Sequence, residues 1–323
     1  MKAIRIEETG GPEVMKLVDV DLPPPAPGQV RIRHSAIGLN FIDIYHRTGL
    51  YPLPLPTGLG LEAAGVVEEV GEGVTSLQVG DRVAYAPGPI GAYSQAANVP
   101  ANRVLKLPDT IPDETAAGMM LRGMTARYLL KETYKVKPGD TILFHAAAGG
   151  VGLIACQWAN AIGATVIGTV GSEEKAELAR ANGCHHTINY QTEDVVARVL
   201  EITDGKKVPV VYDSVGQATL MTSLDCLRLR GLLVSFGNAS GPIRNFDTGL
   251  LSTKGSLYLT RPTLMGYVGT DEELRTTAND LFEMVGSGRI KIRIGQRYPL
   301  SEIGRAHADL AARKTTGSTV ILP

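Results

Sequence analysis

The sequence predicts an α/β fold in which a doubly wound parallel sheet is inserted into a barrel-like β domain. Three observations support this. Residues 1 to about 125 carry many short extended runs broken by Gly and Pro turns, the pattern of a compact β unit. From Thr141 onward, apolar runs alternate with helical stretches across short connections, as in a parallel sheet covered on both faces. Beyond about residue 264, two helices and two short strands follow that a lone parallel sheet does not require. This tail is expected to rejoin the N-terminal unit. The β domain then comprises 1–125 plus 264–323, and the parallel sheet occupies 126–263.

The opening runs KAIRI and VMKLVDV read as strands separated by the turn Gly10-Gly11-Pro12. DLPPPAPGQ is neither helix nor central strand, because each proline removes a backbone donor. QVRIRHSAIGLN places apolar residues at every second position and resumes a strand. FIDIYHRTGL makes one or two helical turns ended by Gly49, and the proline-rich loop YPLPLPTGLG follows. EAAGVVEEVG and DRVAYA are further strands, with glycine turns at 71–73 and 80. Residues 113–135 read as helix, and Pro138-Gly139-Asp140 punctuates.

The stretch 141–164, TILFHAAAGGVGLIACQWANAIGA, is the centre of the second half. A short apolar run stops at small residues, and Val151, Ala155, Trp158, Ala159 and Ile162 then recur at helical spacing. ATVIGTV is the next strand. A helix starts at Ser172, a good N-cap, and stops at Gly183. HHTINY is strand, TEDVVARVLEIT helix, VPVVYDSV strand, QATLMTSLDCLRL helix and GLLVSFGN strand, and GSLYLTRP is a last strand ended by Pro262. In the tail, TDEELRTTANDLFEMVGSG and SEIGRAHADLAARK read as helices, IKIRIGQ and STVILP as short strands.

At 323 residues, 44% hydrophobic and 20% charged, the chain suits a globular protein with two cores. A net charge of −1 offers no broad attraction to nucleic acid or to an anionic membrane. No run of 18 apolar residues occurs, and MKAIRIEETG lacks the apolar core of a signal peptide. Cys156, Cys184 and Cys226 are widely spaced and form no C-x-x-C pair. This predicts reduced thiols in a cytoplasmic protein, and neither a disulfide frame nor a zinc site.

Gly149 and Gly152 fall where a dinucleotide fingerprint needs them. One lets backbone approach a pyrophosphate, and the other lets helix pack on strand. The helix N-terminus adds free N–H groups and partial positive charge. Ala147 stands at the first position of G-x-G-x-x-G, so the motif is imperfect. The next turn selects the nucleotide. Folds specific for NAD place Asp or Glu after the second strand, roughly 20 residues past the glycines, to hold the ribose hydroxyls. Here Gly171-Ser172 follow Val170, and no carboxylate repels a 2′-phosphate. Lys175 supplies a cation in the first turn of the next helix, and Tyr190 ends the third strand, placed to close the pocket. These residues predict NADPH, provided that Glu173 and Glu174 face solvent.

HAAAGGVG, the GTVGSEEK turn, VVYDSVG and LVSFGN, behind LNFIDIYHRTGLYP, resemble the zeta-crystallin-like quinone oxidoreductases of the medium-chain dehydrogenase/reductase superfamily. The resemblance covers essentially the whole chain, in order. It implies a Rossmann doubly wound sheet inserted in a GroES-like β-barrel domain, NADPH as reductant and a homodimer. It matches Gly171, Ser172, Lys175 and Tyr190 to the 2′-phosphate site and Arg313 to a cation near it. It also matches Thr125 and Tyr128 to positions flanking the cofactor, and Gly150 and Val151 to the pyrophosphate turn. Ser214 and Phe236-Gly237-Asn238 follow the fourth and fifth strands, on the carboxyl edge where nucleotides bind.

Zinc alcohol dehydrogenases of that superfamily need three protein ligands and an open fourth position. Here Asn40 replaces the first cysteine, Gly60-Leu61-Glu62 replaces G-H-E, and the four-cysteine lobe is missing, so no metal site is expected. His34, His46 and His145 have no cysteine partners at ligand spacing. Hydride transfer must then rest on positioning and exclusion of water. A simple carbonyl would leave an unstabilised alkoxide, whereas a quinone spreads the charge into its ring. Asn40 is the candidate to orient the substrate, and Tyr45 to hydrogen-bond a quinone oxygen and deliver a proton. Asp43 either orients Tyr45 or touches the nicotinamide ribose. Tyr51, Leu55 and Leu59 are expected to wall an apolar pocket. The expected activity is reduction of a quinone by NADPH. The alternatives are reduction of an enone or alkenal double bond, and a non-catalytic NADPH-binding or structural role. The edge strand GSLYLT is expected to pair two copies across a two-fold axis.

Overall fold

The two opening runs become β1 (Lys2–Arg5) and β2 (Lys16–Asp19), an antiparallel pair, in a computed structural model that describes residues 1–323. The alternating run becomes β3 (Gln29–Leu39), which buries Val30, Ile32, His34 and Ala36 and then both of its faces. A short helix, α1 (Phe41–Arg47), leaves the end of β3, and Gly49, at φ +79°, makes the left-handed turn behind it. The strands β4 (Ala63–Val70), β5 (Arg82–Tyr85), β6 (Ala96–Pro100) and β7 (Leu105–Lys106) follow, then α2 (Asp113–Tyr128). The helix expected through residue 135 ends at Tyr128, and a π-helical turn, Leu129–Thr133, takes its place.

The alternating half gives β8 (Thr141–Phe144), α3 (Gly150–Ile162), β9 (Thr165–Val170), α4 (Glu173–Arg180), β10 (His186–Asn189) and α5 (Val195–Ile202). It continues with β11 (Val208–Asp213), α6 (Leu220–Asp225), β12 (Leu227–Ser235), α7 (Gly249–Thr253) and β13 (Tyr258–Thr260). The sheet order is β10-β9-β8-β11-β12-β13, with every pairing parallel. Order reverses between β8 and β11, so their carboxyl ends flank the crevice where α/β sheets bind ligands. The helix read over 217–229 is shorter because β12 already starts at Leu227, opposite Val208. The ladder then breaks and resumes at Val210 opposite Leu232, which leaves Arg228, Leu229 and Arg230 exposed.

The tail supplies α8 (Asp271–Gly286), β14 (Ile294–Pro299), α9 (Ile303–Ala311) and β15 (Ser318–Leu322). β14 lies further along than the run IKIRIGQ, because its ladder with β15 starts only at Ile294 opposite Ser318. β15 pairs antiparallel with β3, Thr319 opposite Leu39, completing a seven-stranded sheet of order β14-β15-β3-β4-β5-β7 with β6 also on β3. One unit thus comprises Met1–Met124 and Val268–Pro323, and the other Thr125–Tyr267. Each has its own apolar core. Ile32, Leu39, Leu59, Tyr85 and Ile321 belong to the first, and Leu143, Ile167, Val211 and Leu233 to the second.

Candidate active site

Where β3 gives way to α1, an extended residue caps the helix. Asn40 is the N-cap, and its N–H donates to Asp43 Oδ2 at 2.8 Å. The Asn40 amide nitrogen donates to Glu62 Oε1 at 2.6 Å. Glu62 Oε2 accepts from the Leu121 N–H at 2.7 Å, and Arg122 Nη1 stands 3.4 Å from Oε1. Arg122 also donates to the carbonyls of Leu39 and Gly118. All of these side chains are buried. Burial pushes the Glu62 carboxyl up and pulls the Arg122 guanidinium down, and their opposite charges offset both effects. Gly38 makes room for the pair, since a Cβ there would lie 2.1 Å from Glu62 Oε1.

A second buried chain meets α1 from behind. Tyr93 donates to Asp43 Oδ2 at 2.7 Å, and its oxygen lies 3.0 Å from His307 Nε2. Arg47 Nη1 is 3.2 Å from His307 Nδ1. A guanidinium only donates, so Nδ1 accepts, Nε2–H donates to Tyr93, and Tyr93 donates to Asp43. Asp43 Oδ1 has no hydrogen-bond partner. Burial pushes the Asp43 carboxyl up to about 7 and, with the charge of Arg47, pulls His307 down to about 3.

These contacts correct three expectations. The Asn40 amide nitrogen is turned to Glu62, so Asn40 holds the start of α1 rather than presenting that group to a substrate. Asp43 is fully buried against Tyr93, which excludes both contacts expected of it, with Tyr45 and with a ribose. Leu59 is fully buried in the first core, and its carbonyl accepts from the Tyr93 N–H, so it is no pocket wall. Tyr45 and Tyr51 do come together, edge to face at 5.1 Å, with Phe41 tilted against Tyr45 at 5.8 Å. Leu55 is exposed. Glu62, Tyr93, Arg122 and His307 were not read as working residues. For two of them a signal exists: a carboxylate in LEAAGVV and an arginine in GMMLRGM are charges inside apolar segments, which need partners.

In the other unit, the turn after β8 passes through Ala146, at φ +55°, and reaches Gly149, the N-cap of α3. A Cβ on Gly152 would stand 2.4 Å from the Ala146 carbonyl oxygen and 2.6 Å from that of Ala147. Gly152 thus allows α3 to pack on its strand. Gly149, Gly150 and Val151 remain partly open. After β9, Ser172 Oγ accepts from the Lys175 N–H at 3.3 Å and caps α4. The Tyr190 hydroxyl lies 2.5 Å from where a Cβ on Gly171 would be. Gly171, Ser172, Lys175 and Tyr190 are therefore brought together. Glu173 is drawn along the helix to Arg180 at 2.5 Å, and Glu174 is exposed, so both face solvent.

The carboxyl ends of β11 and β12 lie side by side. Phe236 N–H donates to the Asp213 carbonyl at 2.8 Å, and a Cβ on Gly237 would strike the Ser214 carbonyl at 2.4 Å. Phe236 is half-buried with its ring 5.7 Å from Phe144, and Asn238 is half-buried. Thr125 is buried. Tyr128 is 2% exposed and stacked on Tyr267 at 4.4 Å, so little of either residue is open to a ligand. Arg313 is an exposed residue of the first unit, at φ +58° beyond α9.

Residues 150–284 match the family of zinc-binding dehydrogenases, and residues 26–109 the alcohol dehydrogenase GroES-like domain. The chain is 58% identical to a quinone oxidoreductase of Pseudomonas aeruginosa over 323 residues, covering 100% of this chain and 99% of that protein. It is 50% identical to the 2-haloacrylate reductase of a Burkholderia species, over 98% of each. The solved structure of Escherichia coli quinone oxidoreductase complexed with NADPH gives a TM-score of 0.99 at 52% identity, covering 100% of both chains. The zinc of the first family's description finds no fitting donors here. No three His, Cys, Asp or Glu side chains converge as ligands, and both nitrogens of His34 are engaged, by Ser94 O and Tyr85.

Proposed function

The chain belongs to the quinone oxidoreductase family, and from that membership we propose its function: reduction of a quinone by NADPH, without a metal. One observation carries the cofactor choice. After β9, where a carboxylate would bind a free ribose, stand Gly171 and the capping Ser172, with Lys175 in the next turn and the Tyr190 hydroxyl over Gly171. When bound, NADPH supplies a hydride. Gly149, Gly150 and Val151 would receive the pyrophosphate at the N-terminus of α3, which Gly152 lets pack against its strand, and Ser214, Phe236, Gly237 and Asn238 would form the rim beside it.

On the substrate side, no zinc donor set is present to polarise a carbonyl. An acceptor that spreads its own negative charge suits such a site. Tyr45, beside Tyr51, supplies the hydroxyl for a quinone oxygen. Asn40 and Asp43 hold the helix that carries it. A second reading is reduction of an activated carbon–carbon double bond, supported by the 50% identity to 2-haloacrylate reductase.

The test follows NADPH oxidation with 1,4-benzoquinone, with an enone and with 2-chloroacrylate, and repeats the quinone assay with NADH. Quinone turnover with a preference for NADPH is expected. Faster turnover of the alkenes moves the function to the second reading, and a preference for NADH overturns the cofactor assignment. We further assign a homodimer through β13, an edge strand with Tyr258 60% exposed; a monomer in sedimentation at micromolar concentration overturns that. Three free, buried cysteines are consistent with the cytoplasm.

A further inference from the structure

Four polar side chains sit under the carboxyl edge of the parallel sheet and take no part in the function proposed above. His145 directly follows β8, Thr169 lies in β9, Asp213 ends β11 and Ser223 lies in α6, and all four are buried. Ser223 donates to Asp213 Oδ2 at 2.7 Å, because a carboxylate only accepts. The Ser223 oxygen therefore accepts from His145 Nε2–H at 3.0 Å. That leaves Nδ1 bare, and it accepts from the Thr169 hydroxyl at 2.9 Å. The Thr169 oxygen in turn accepts from the Ala146 N–H at 3.4 Å. The Thr169 carbonyl accepts from the Ala147 N–H at 3.0 Å.

At its other end, Asp213 Oδ1 accepts from the N–H groups of Val215 at 2.7 Å and Gly216 at 3.0 Å, and Oδ2 also accepts from Thr219. The line fixes His145 as the neutral Nε2–H tautomer. Burial, which pulls the His145 imidazolium down, acts in the same direction. The order Asp–Ser–His is not that of a nucleophilic triad, since the serine proton goes to the carboxylate and the serine is inaccessible. What the line does is join two turns. Ala146, in the left-handed region, begins the turn that leads to Gly149, and Val215–Gly216 begin the turn beside Ser214. Both turns are backbone, and neither has another tie to the other through side chains of this group.

We propose that Thr169, His145, Ser223 and Asp213 are positioning residues that hold the turns 146–149 and 213–216 in the shape NADPH requires. This rests on the NADPH reading above. Thr169→Val keeps the shape of the side chain and removes its hydroxyl, Ser223→Ala breaks the line at its middle, and Thr169→Ser keeps the oxygen. Each variant is assayed for the Kd of NADPH by fluorescence titration, for kcat and quinone KM at saturating NADPH, and for Tm without ligand. Thr169→Val and Ser223→Ala should raise the NADPH Kd about tenfold, the equivalent of one or two net hydrogen bonds, with quinone KM within about twofold of the parent. Thr169→Ser should restore the parent Kd. A lowered Tm with unchanged Kd, or failure of both Thr169→Val and Ser223→Ala to fold, overturns the proposal in favour of a purely structural network. A parent that binds no NADPH fails the cofactor reading itself, whereas a binding parent with unaffected variants fails this proposal alone.

Discussion

Asn40 and Glu62 meet in a space closed to water, the Asn40 amide donating to Glu62 Oε1 at 2.6 Å while Arg122 balances the carboxylate from the other side. The link ties the N-cap of α1, at the end of β3, to the residue just before β4 and to α2. The amide, the carboxylate and the guanidinium satisfy one another there. Removing one charge from such a pair leaves the other buried without compensation.

Glu62→Leu is therefore expected to destabilise the protein by about 3–5 kcal/mol in urea denaturation. The double variant Glu62→Leu with Arg122→Leu should regain part of the loss, because two apolar groups replace two charges. It should not regain all of it, since the Asn40 amide and the Leu121 N–H lose their acceptor. Equal stability of the single and double variants would show that Arg122 does not feel the charge.

Asp43 predicts a pH effect with a definite sign. Its carboxyl is pushed from an ordinary value of 3.8 up to about 7 by burial, so between those values the unfolded chain gives up a proton that the folded chain keeps. Its contribution falls as pH rises through that window, with a slope approaching about 1.4 kcal/mol per pH unit, and stays constant above it. His307, pulled down to about 3, and His34, pulled down to about 4, slope the opposite way, losing stability as pH falls below the unfolded histidine value of 6.5. The two histidines act equally in parent and variant. Asp43→Asn keeps an acceptor for the Asn40 N–H and for Tyr93 and cannot ionise. Relative to the parent it should gain stability from pH 4 to pH 7, measured by urea denaturation at each pH. Parallel curves would mean that Asp43 does not titrate there.

The β8–α3 unit and the two sides of the parallel sheet were legible in the sequence because their signals are local. Small residues, glycine spacing and helical periodicity fall within one stretch. The buried chain through Asp43, Tyr93, His307 and Arg47 was not, since Tyr93 and His307 lie 214 residues apart. Its direction depends on β15 pairing with β3, which brings α9 behind α1. Leu59 was misread for a related reason. It follows a run of prolines that resembles a pocket wall, but the chain turns back into the barrel there: Thr57 exchanges backbone hydrogen bonds with Ile6, and Leu59 accepts one from Tyr93. Polar residues in apolar surroundings announce that they have partners without saying which.

The two glycines of the turn between β8 and α3 should fail in different ways. A Cβ on Gly152 meets two backbone carbonyls at 2.4 and 2.6 Å, neither of which can move without displacing α3. Gly152→Ala should cost about 2–3 kcal/mol of stability and raise the NADPH Kd by at least about tenfold. A Cβ on Gly149 meets only the Ala146 carbonyl, at 3.2 Å, and its φ of −78° suits any residue. Gly149→Ala should leave Tm nearly unchanged and still weaken NADPH, because the methyl group would stand at the proposed approach of the pyrophosphate to the backbone. Tight NADPH binding by Gly149→Ala would move the phosphates elsewhere.

Ser172 provides the sharpest test of cofactor choice, because one substitution separates its two roles. As the N-cap of α4 it accepts from the Lys175 N–H, and aspartate caps equally well. Ser172→Asp should therefore fold as stably as the parent, while its carboxylate repels a 2′-phosphate and can hold the free hydroxyls of NADH. A fall of about 100-fold in kcat/KM for NADPH is expected, the size of one like-charge contact near a protein surface, with NADH unchanged or improved. Ser172→Ala is the control. It loses the cap, at a cost of about 1 kcal/mol in stability, without adding charge, so it should weaken NADPH far less than the aspartate does. If alanine and aspartate lowered NADPH activity equally, the cap and not the phosphate would be what the serine provides.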